Sequence, residues 1–130
     1  MKHKTALIFD DNLECRSLMK DLVEMEGYEV MTFSDPTIFL NQREESCCHM
    51  EAEPCVDLIL TDNQMPGMTG LEFLEMIKSN GCKLPDFKKG IVSGTWSEKE
   101  LARAKELGCK VFSKPTPMED LTRWLSSFPT

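Results

Sequence analysis

The sequence predicts a doubly wound α/β domain: a five-stranded parallel sheet with helices on both faces. Two observations predict it. Short apolar runs alternate with segments of helical period, strand then helix, along the whole chain. Strands separated by helices pair in parallel through right-handed crossovers. The strand-like runs are also apolar throughout, as strands covered by helices on both sides must be.

Each element carries its own signal. Thr5 to Phe9 reads as a continuous buried strand. Asn12 to Glu26 reads as a helix, with Cys15, Leu18, Met19, Leu22 and Met25 at three- and four-residue steps and Gly27 as its stop. Glu29 to Phe33 is the second strand. Asp35 and Pro36 then open a short helix, Asp as cap and Pro at the first helical position. Val56 to Thr61 is the third strand. Gly67 and Gly70 bracket a loop, and a helix follows through Phe73, Leu74 and Ile77 to Gly81. Gly90 to Ser93 is the fourth strand. Ser97-Glu98-Lys99-Glu100 is a capping box opening a helix that ends at Gly108. Lys110 to Ser113 is the fifth strand. Thr116-Pro117-Met118-Glu119 opens the last helix, with Met118, Leu121, Leu125 and Phe128 on one face and Trp124 at its edge.

Composition narrows the function. The chain has 130 residues, enough for one domain with one core, and residues 1–130 are expected to form a single domain. The formal charge is −7, from 22 acidic and 15 basic side chains. An acidic surface repels phosphate backbones, which argues against nucleic acid, but it suits a divalent cation and a basic protein partner. No apolar run approaches the length of a membrane span, and the first apolar run is too short for a secretory signal. A cytoplasmic location and reduced thiols are expected. Of the six cysteines, Cys15 and Cys109 stand in apolar contexts and read as small core residues. Most of the nine methionines read as core or loop filler.

In an open parallel sheet, ligands bind beyond the carboxyl ends of the strands. Strand one ends in Asp10-Asp11, strand three in Asp62, strand four in Ser93-Gly94-Thr95 and strand five in Lys114-Pro115. Three carboxylates, a hydroxyl and an ammonium therefore converge on one rim. Clustered carboxylates repel, and a hard cation such as Mg²⁺ relieves the repulsion through oxygen ligands. A lysine supplies a point charge for phosphate oxygens, and a serine hydroxyl a donor. The set fits phosphoryl transfer, where positioning and charge neutralisation do most of the work.

These residues, with the loop Asp62-Asn63-Gln64-Met65-Pro66-Gly67-Met68-Thr69-Gly70, resemble the response-regulator receiver domain of two-component signalling, the CheY-like family. The resemblance covers nearly the whole chain. It implies a flavodoxin-like sheet of strand order 2-1-3-4-5. It implies that Asp62 accepts a phosphoryl group from a histidine kinase or a phosphotransfer protein. Asp11, Asp62 and the backbone carbonyl of Gln64 would bind Mg²⁺ directly, and Asp10 through a water. Lys114 would bind the phosphoryl group, ahead of a Lys114–Pro115 bond that is usually cis in the family. Ser93 would move to hydrogen-bond it. Such a chain is mainly a signalling module, not an enzyme. The helices and strand nearest the C-terminus would offer the partner surface, and dimerisation stays open.

The sequence also departs from the family pattern. Many receivers carry an aromatic residue three positions before the lysine, where this chain has Val111. Phe112, one step on, should face the opposite side of the sheet. Thr69 stands where many family members have Asp. Gln64 and Thr95 stand at variable positions that influence phosphoryl lifetime in the family. Trp96 lies close enough to Ser93 to report on phosphorylation. Arg43 to Cys55 lengthens the segment before strand three. Cys47, Cys48, His49 and Cys55 match no zinc spacing, so a polar surface insertion is expected there over a metal or redox site.

Two rival functions remain at this stage. An aspartate-nucleophile phosphatase or phosphotransferase also places an Asp at the end of strand one, but usually wants a second Asp where Asn12 stands. A receiver-like binding module could act without phosphorylation, against which the intact acidic cluster and Lys114 speak.

Overall fold

The computed structural model describes residues 4–34, 36–37, 56–65, 67–79, 84–114 and 118–128. Their order is β1 (Lys4–Phe9), α1 (Leu13–Met25), β2 (Tyr28–Phe33), β3 (Leu58–Asp62), α2 (Gly70–Ser79), a 3₁₀ turn (Asp86–Lys88), β4 (Lys89–Ser93), α3 (Glu98–Leu107), β5 (Lys110–Ser113) and α4 (Met118–Ser126). Pro36 and Thr37 are helical, where the second predicted helix begins, and the rest of that helix lies outside the described residues. The five strands form one sheet in the order β2-β1-β3-β4-β5, and every pairing is parallel. The expected doubly wound topology is therefore present.

Alternation along the strands divides the core in two. Ala6 and Ile8 face α1 and α4, in a cluster with Met19, Leu22, Val23, Leu121 and Leu125. Leu7 and Phe9 face α2 and α3, in a cluster with Leu71, Phe73, Leu74, Ile77 and Ala104. Successive side chains of a strand point to opposite faces, so one apolar run supplies both layers. The capping box of α3 forms as predicted: Glu100 N donates to Ser97 Oγ at 3.1 Å, and Ser97 N donates to Glu100 Oε1 at 3.0 Å. Asn12 caps α1 by accepting from Cys15 N at 2.9 Å.

Several expectations need correction. The strands are not apolar throughout. β1, β3 and β4 are buried over most of their length, but Glu29, Met31 and Thr32 of β2 and Lys110 and Ser113 of β5 are exposed. Those two strands are the sheet edges, with a neighbour on one side only. The buried face of α1 is Met19, Leu22 and Val23, whereas Leu18 is 37% and Met25 80% exposed. Leu18 and Met25 lie about a quarter turn around the helix from the buried residues. Cys15 and Cys109 are half-buried free thiols rather than full core residues. Met118 is exposed, and the core of α4 is Leu121, Trp124 and Leu125.

Trp124 thus belongs to the core and not to its edge. Its Nε1 donates to the Phe87 carbonyl at 3.2 Å, and its ring meets Phe112 and Phe128 edge-on at 5.4 and 5.1 Å. The indole fits because Gly90 of β4 has no side chain. A Cβ there would fall 2.9 Å from Trp124 Cη2 and 3.0 Å from Leu60 Cδ1. Next to it, Lys89 is only 2% exposed, and its ammonium pairs with Asp86 Oδ1 at 3.2 Å. A buried ammonium without that partner would be strongly destabilising. The pair anchors the amino end of β4, far from the rim described below.

Gly90→Ala is expected to destabilise the fold by about 1–3 kcal/mol, the usual cost of overpacking a tight site. Urea unfolding should show a lower midpoint at unchanged slope. An unchanged midpoint would mean that the Trp124 ring moves away freely.

Candidate functional site

The register of the sheet assembles one site from four strand ends. Phe9 pairs with Thr61, so Asp10 and Asp62 follow side by side. Asp62 pairs with Val92, and Ser93 comes next. Ser93 pairs with Ser113, and Lys114 follows. No long-range folding of loops is needed to bring these groups together, because parallel strands end on the same rim.

At that rim one carboxylate oxygen each from Asp10, Asp11 and Asp62 lie within 4.8 Å of one another. Asp10 and Asp62 are buried, and Asp11 is exposed. Lys114 Nζ lies 3.2 Å from Asp62 Oδ2 and 3.4 Å from Asp10 Oδ2. Burial raises the Asp62 pKa above the ordinary aspartate value, and the Asp10 charge raises it further. Lys114 and the Gln64 backbone N–H, 3.3 Å from Asp62 Oδ1, pull the other way without reversing it. For Lys114, burial opposes the charge, yet Asp10 and Asp62 hold its pKa above the ordinary lysine value. Three carboxylates thus face one ammonium.

A divalent hard cation fits this donor set. The available atoms are oxygens, they are close enough to share one ion, and they carry excess negative charge. Asp10 gives the most specific sign. Its Oδ1 accepts from Asn12 N at 2.8 Å, but its buried Oδ2 accepts no hydrogen bond. The Lys114 ammonium is near it as an ion pair only. A buried oxygen left in that state calls for a ligand.

The remaining predicted residues are also at the rim. Ser93 is buried, and its Oγ donates to the Thr95 carbonyl at 2.9 Å and accepts from Thr95 N at 3.3 Å. Its hydroxyl is engaged by its own loop and not by Asp62. Gln64 Nε2 donates to Thr95 Oγ1 at 2.8 Å, bridging the loops that follow β3 and β4. Trp96 Nε1 donates to the Phe112 carbonyl at 2.9 Å, tying the β4–α3 loop to the edge strand. Phe112 packs in the α1/α4 layer and Val111 against the α2/α3 layer, so the two do face opposite sides. Cys109 is no reactive thiol: burial pushes its pKa up to about 11. Pro115, and Cys47, Cys48, His49 and Cys55, lie outside the described residues.

Two residues escaped the sequence reading. Asn63 is buried and fully engaged. Its N–H reaches the Val92 carbonyl and its carbonyl accepts from Gly70 N. Its Oδ1 accepts from Leu71 N, and its Nδ2 donates to Glu100 Oε2 at 2.6 Å. It therefore links the chain just after Asp62 to the starts of both α2 and α3. Gly70 permits this closeness, since a Cβ there would sit 2.6 Å from the Asp62 carbonyl oxygen. The second is Arg16, whose Nη1 donates to the Asp10 carbonyl at 2.8 Å. A polar residue directly after a strand-end aspartate was the only signal for Asn63, and a basic residue in the first turns of α1 the only one for Arg16.

Residues 6–126 match the model of the response regulator receiver domain. The chain belongs to this family. It is 31% identical over 84% of its length to the CAI-1 autoinducer sensor kinase/phosphatase CqsS of Vibrio cholerae, and covers 15% of that protein. It is 31% identical over 93% of its length to the two-component response regulator ORR6 of Oryza sativa subsp. japonica, and covers 68% of it. A CheY-like response regulator receiver domain from Methanospirillum hungatei superposes with a TM-score of 0.75 at 27% identity, over 96% of this chain and 92% of the other. The protein is thus a receiver domain of the two-component response regulators. Receiver domains bind Mg²⁺ at an acidic aspartate cluster, which here is Asp10, Asp11 and Asp62. Among the described residues no helix is long and apolar enough to cross a membrane.

The Asp62 shift fixes the sign of a pH effect. A carboxyl whose pKa is higher in the folded chain favours folding fully below its unfolded value, and that contribution is lost as pH rises through the folded value. In EDTA, Asp62→Asn is therefore expected to be more stable than the wild type at pH 7. The advantage should shrink as pH falls through the raised folded-state value of Asp62 and be gone below the ordinary aspartate range. Urea midpoints across pH check this, and a gain that grows on acidification would contradict it.

Proposed function

We propose that Asp62 is the phosphoacceptor of this receiver domain. The observation that carries the proposal is the contact of Lys114 Nζ with Asp62 Oδ2 inside the cluster of three carboxylates. An Asp62 oxygen attacks the phosphorus of a phosphohistidine on a histidine kinase or phosphotransfer protein. An O–P bond forms, and the P–N bond breaks with its electron pair returning to the imidazole. Lys114 holds a phosphoryl oxygen. Ser93 leaves the Thr95 carbonyl and donates to the phosphoryl group. Asp11, Asp62 and the Gln64 carbonyl would hold Mg²⁺, with Asp10 acting through a water. The ion would supply the positive charge that the phosphoryl oxygens need.

We further propose that residues 1–130 act as a single domain in the cytoplasm. It signals through phosphorylation-dependent protein contacts, and only its own phosphoryl transfer and dephosphorylation are chemical. Addition of about −1.5 to −2 charge, by analogy with other phosphorylated side chains, is enough to bias a loop with two arrangements. The relative from V. cholerae is named a sensor kinase/phosphatase, which supports a histidine kinase as the donor. The chain spans only 15% of that relative, so the output belongs to this proposal as well. Asp10 as a phosphatase nucleophile is disfavoured. Asn12, where such an enzyme wants an acid, is engaged as the α1 cap.

Incubation with acetyl phosphate and Mg²⁺ should add one phosphoryl mass to the protein. Asp62→Asn should prevent it, EDTA should suppress it, and Lys114→Ala should slow it by roughly a hundredfold, the scale of losing one charge-stabilising donor. Intact-mass spectrometry reads all three. Undiminished labelling in Asp62→Asn would refute the assignment.

A further inference from the structure

We infer that Arg16 is a positioning residue for the metal site: it holds the turn after β1 so that Asp10 Oδ2 stays in the acidic cluster. The inference rests on the Mg²⁺ site described under the proposed function. It starts from how completely that turn is tied. The Asp10 N–H donates to the Phe33 carbonyl at 3.1 Å. Asp10 Oδ1 accepts from Asn12 N. Asn12 Oδ1 accepts from Cys15 N, and the Asn12 carbonyl accepts from Arg16 N at 2.9 Å. The Asp10 carbonyl lies outside the α1 ladder and has no helical donor. The guanidinium of Arg16 reaches back six residues to supply one.

With that bond in place, Oδ2 is the one oxygen of Asp10 that accepts no hydrogen bond, and it faces Lys114 Nζ at 3.4 Å, in a residue that shares one cluster with the other two aspartates. Without it, the Asp10 carbonyl adds an unanswered negative dipole beside three carboxylates. The peptide is then free to rotate toward water and carry the Asp10 side chain with it. Groups that orient metal ligands without touching the metal typically change affinity 10–100-fold when removed. Arg16 fits that role by geometry. It touches the backbone of a ligand-bearing residue, and no carboxylate of the cluster.

Charge and position predict opposite outcomes, which makes the test sharp. If Arg16 were merely a nearby cation, deleting its charge would tighten Mg²⁺ binding. If it positions Asp10, Arg16→Met should weaken Mg²⁺ binding about tenfold. Isothermal titration of the full chain with MgCl₂, with no phosphoryl donor present, measures this directly. The cycle is completed with Asp10→Asn, in whose background Arg16→Met should change affinity by less than about twofold, because the group it positions is gone. Binding that is unchanged or tighter in Arg16→Met overturns the inference, and so does a full tenfold loss that persists in the Asp10→Asn background. Circular dichroism checks the fold of each variant, and Arg16→Gln, with the same expectation, takes the place of Arg16→Met if the latter unfolds. A wild-type chain that binds no Mg²⁺ would count against the proposed function itself, so the two failures are distinguishable.

Discussion

Three carboxylates held against one ammonium are the constraint on which the rest of the site depends. Asp10, Asp11 and Asp62 meet because parallel register ends β1 and β3 at the same height, and Lys114 answers them from the end of β5. Left alone, the ionised arrangement is unfavourable: burial first, and the Asp10 charge second, raise the Asp62 pKa. The fold holds it in place by fixing the backbone around each acid. Asn12 N and Arg16 Nη1 hold Asp10, and the Asn63 hydrogen bonds hold the chain beyond Asp62. A divalent cation bound among the carboxylate oxygens would relieve part of their repulsion.

From that cluster two routes lead outward. Asn63 joins Asp62 to Glu100, whose other oxygen completes the capping box of α3. Ser93 is engaged with Thr95, whose neighbour Trp96 is pinned to the carbonyl of Phe112 on the edge strand. Val111 leaves the α2/α3 side of β5 without an aromatic ring, and the indole of Trp96 packs against that same layer from the adjoining loop. On this side of β5 the aromatic bulk comes from the loop that follows β4 and not from the edge strand.

Much of this was legible in the sequence because the signals were local. Strand-helix alternation, the capping box at Ser97 and the polar residues at strand ends need only short stretches of chain to be read, and the parallel rule turns strand ends into a site. What escaped depended on long-range geometry. The orientation of α1 on the sheet decides that Val23 is buried and Met25 exposed, and helical spacing alone admits either. Edge position decides that β2 and β5 are half-wet. Trp124 looked peripheral because the space it fills is made by Gly90, 34 positions earlier in the chain. Arg16 and Asn63 act through backbone groups, which no side-chain pattern reveals.

The fit of Trp124 over Gly90 also bears on how this protein can change over evolutionary time. The ring occupies the volume that a side chain at position 90 would need. The two positions are therefore not free to drift separately: each atom added at 90 competes with the indole at 124 for the same space. Among sequences descended from a common ancestor, 90 and 124 are expected to vary together. Enlarging position 90 first costs about 1–3 kcal/mol of overpacking against the ring and Leu60, and shrinking position 124 first about 3–5 kcal/mol of cavity, so either order passes through a less stable intermediate.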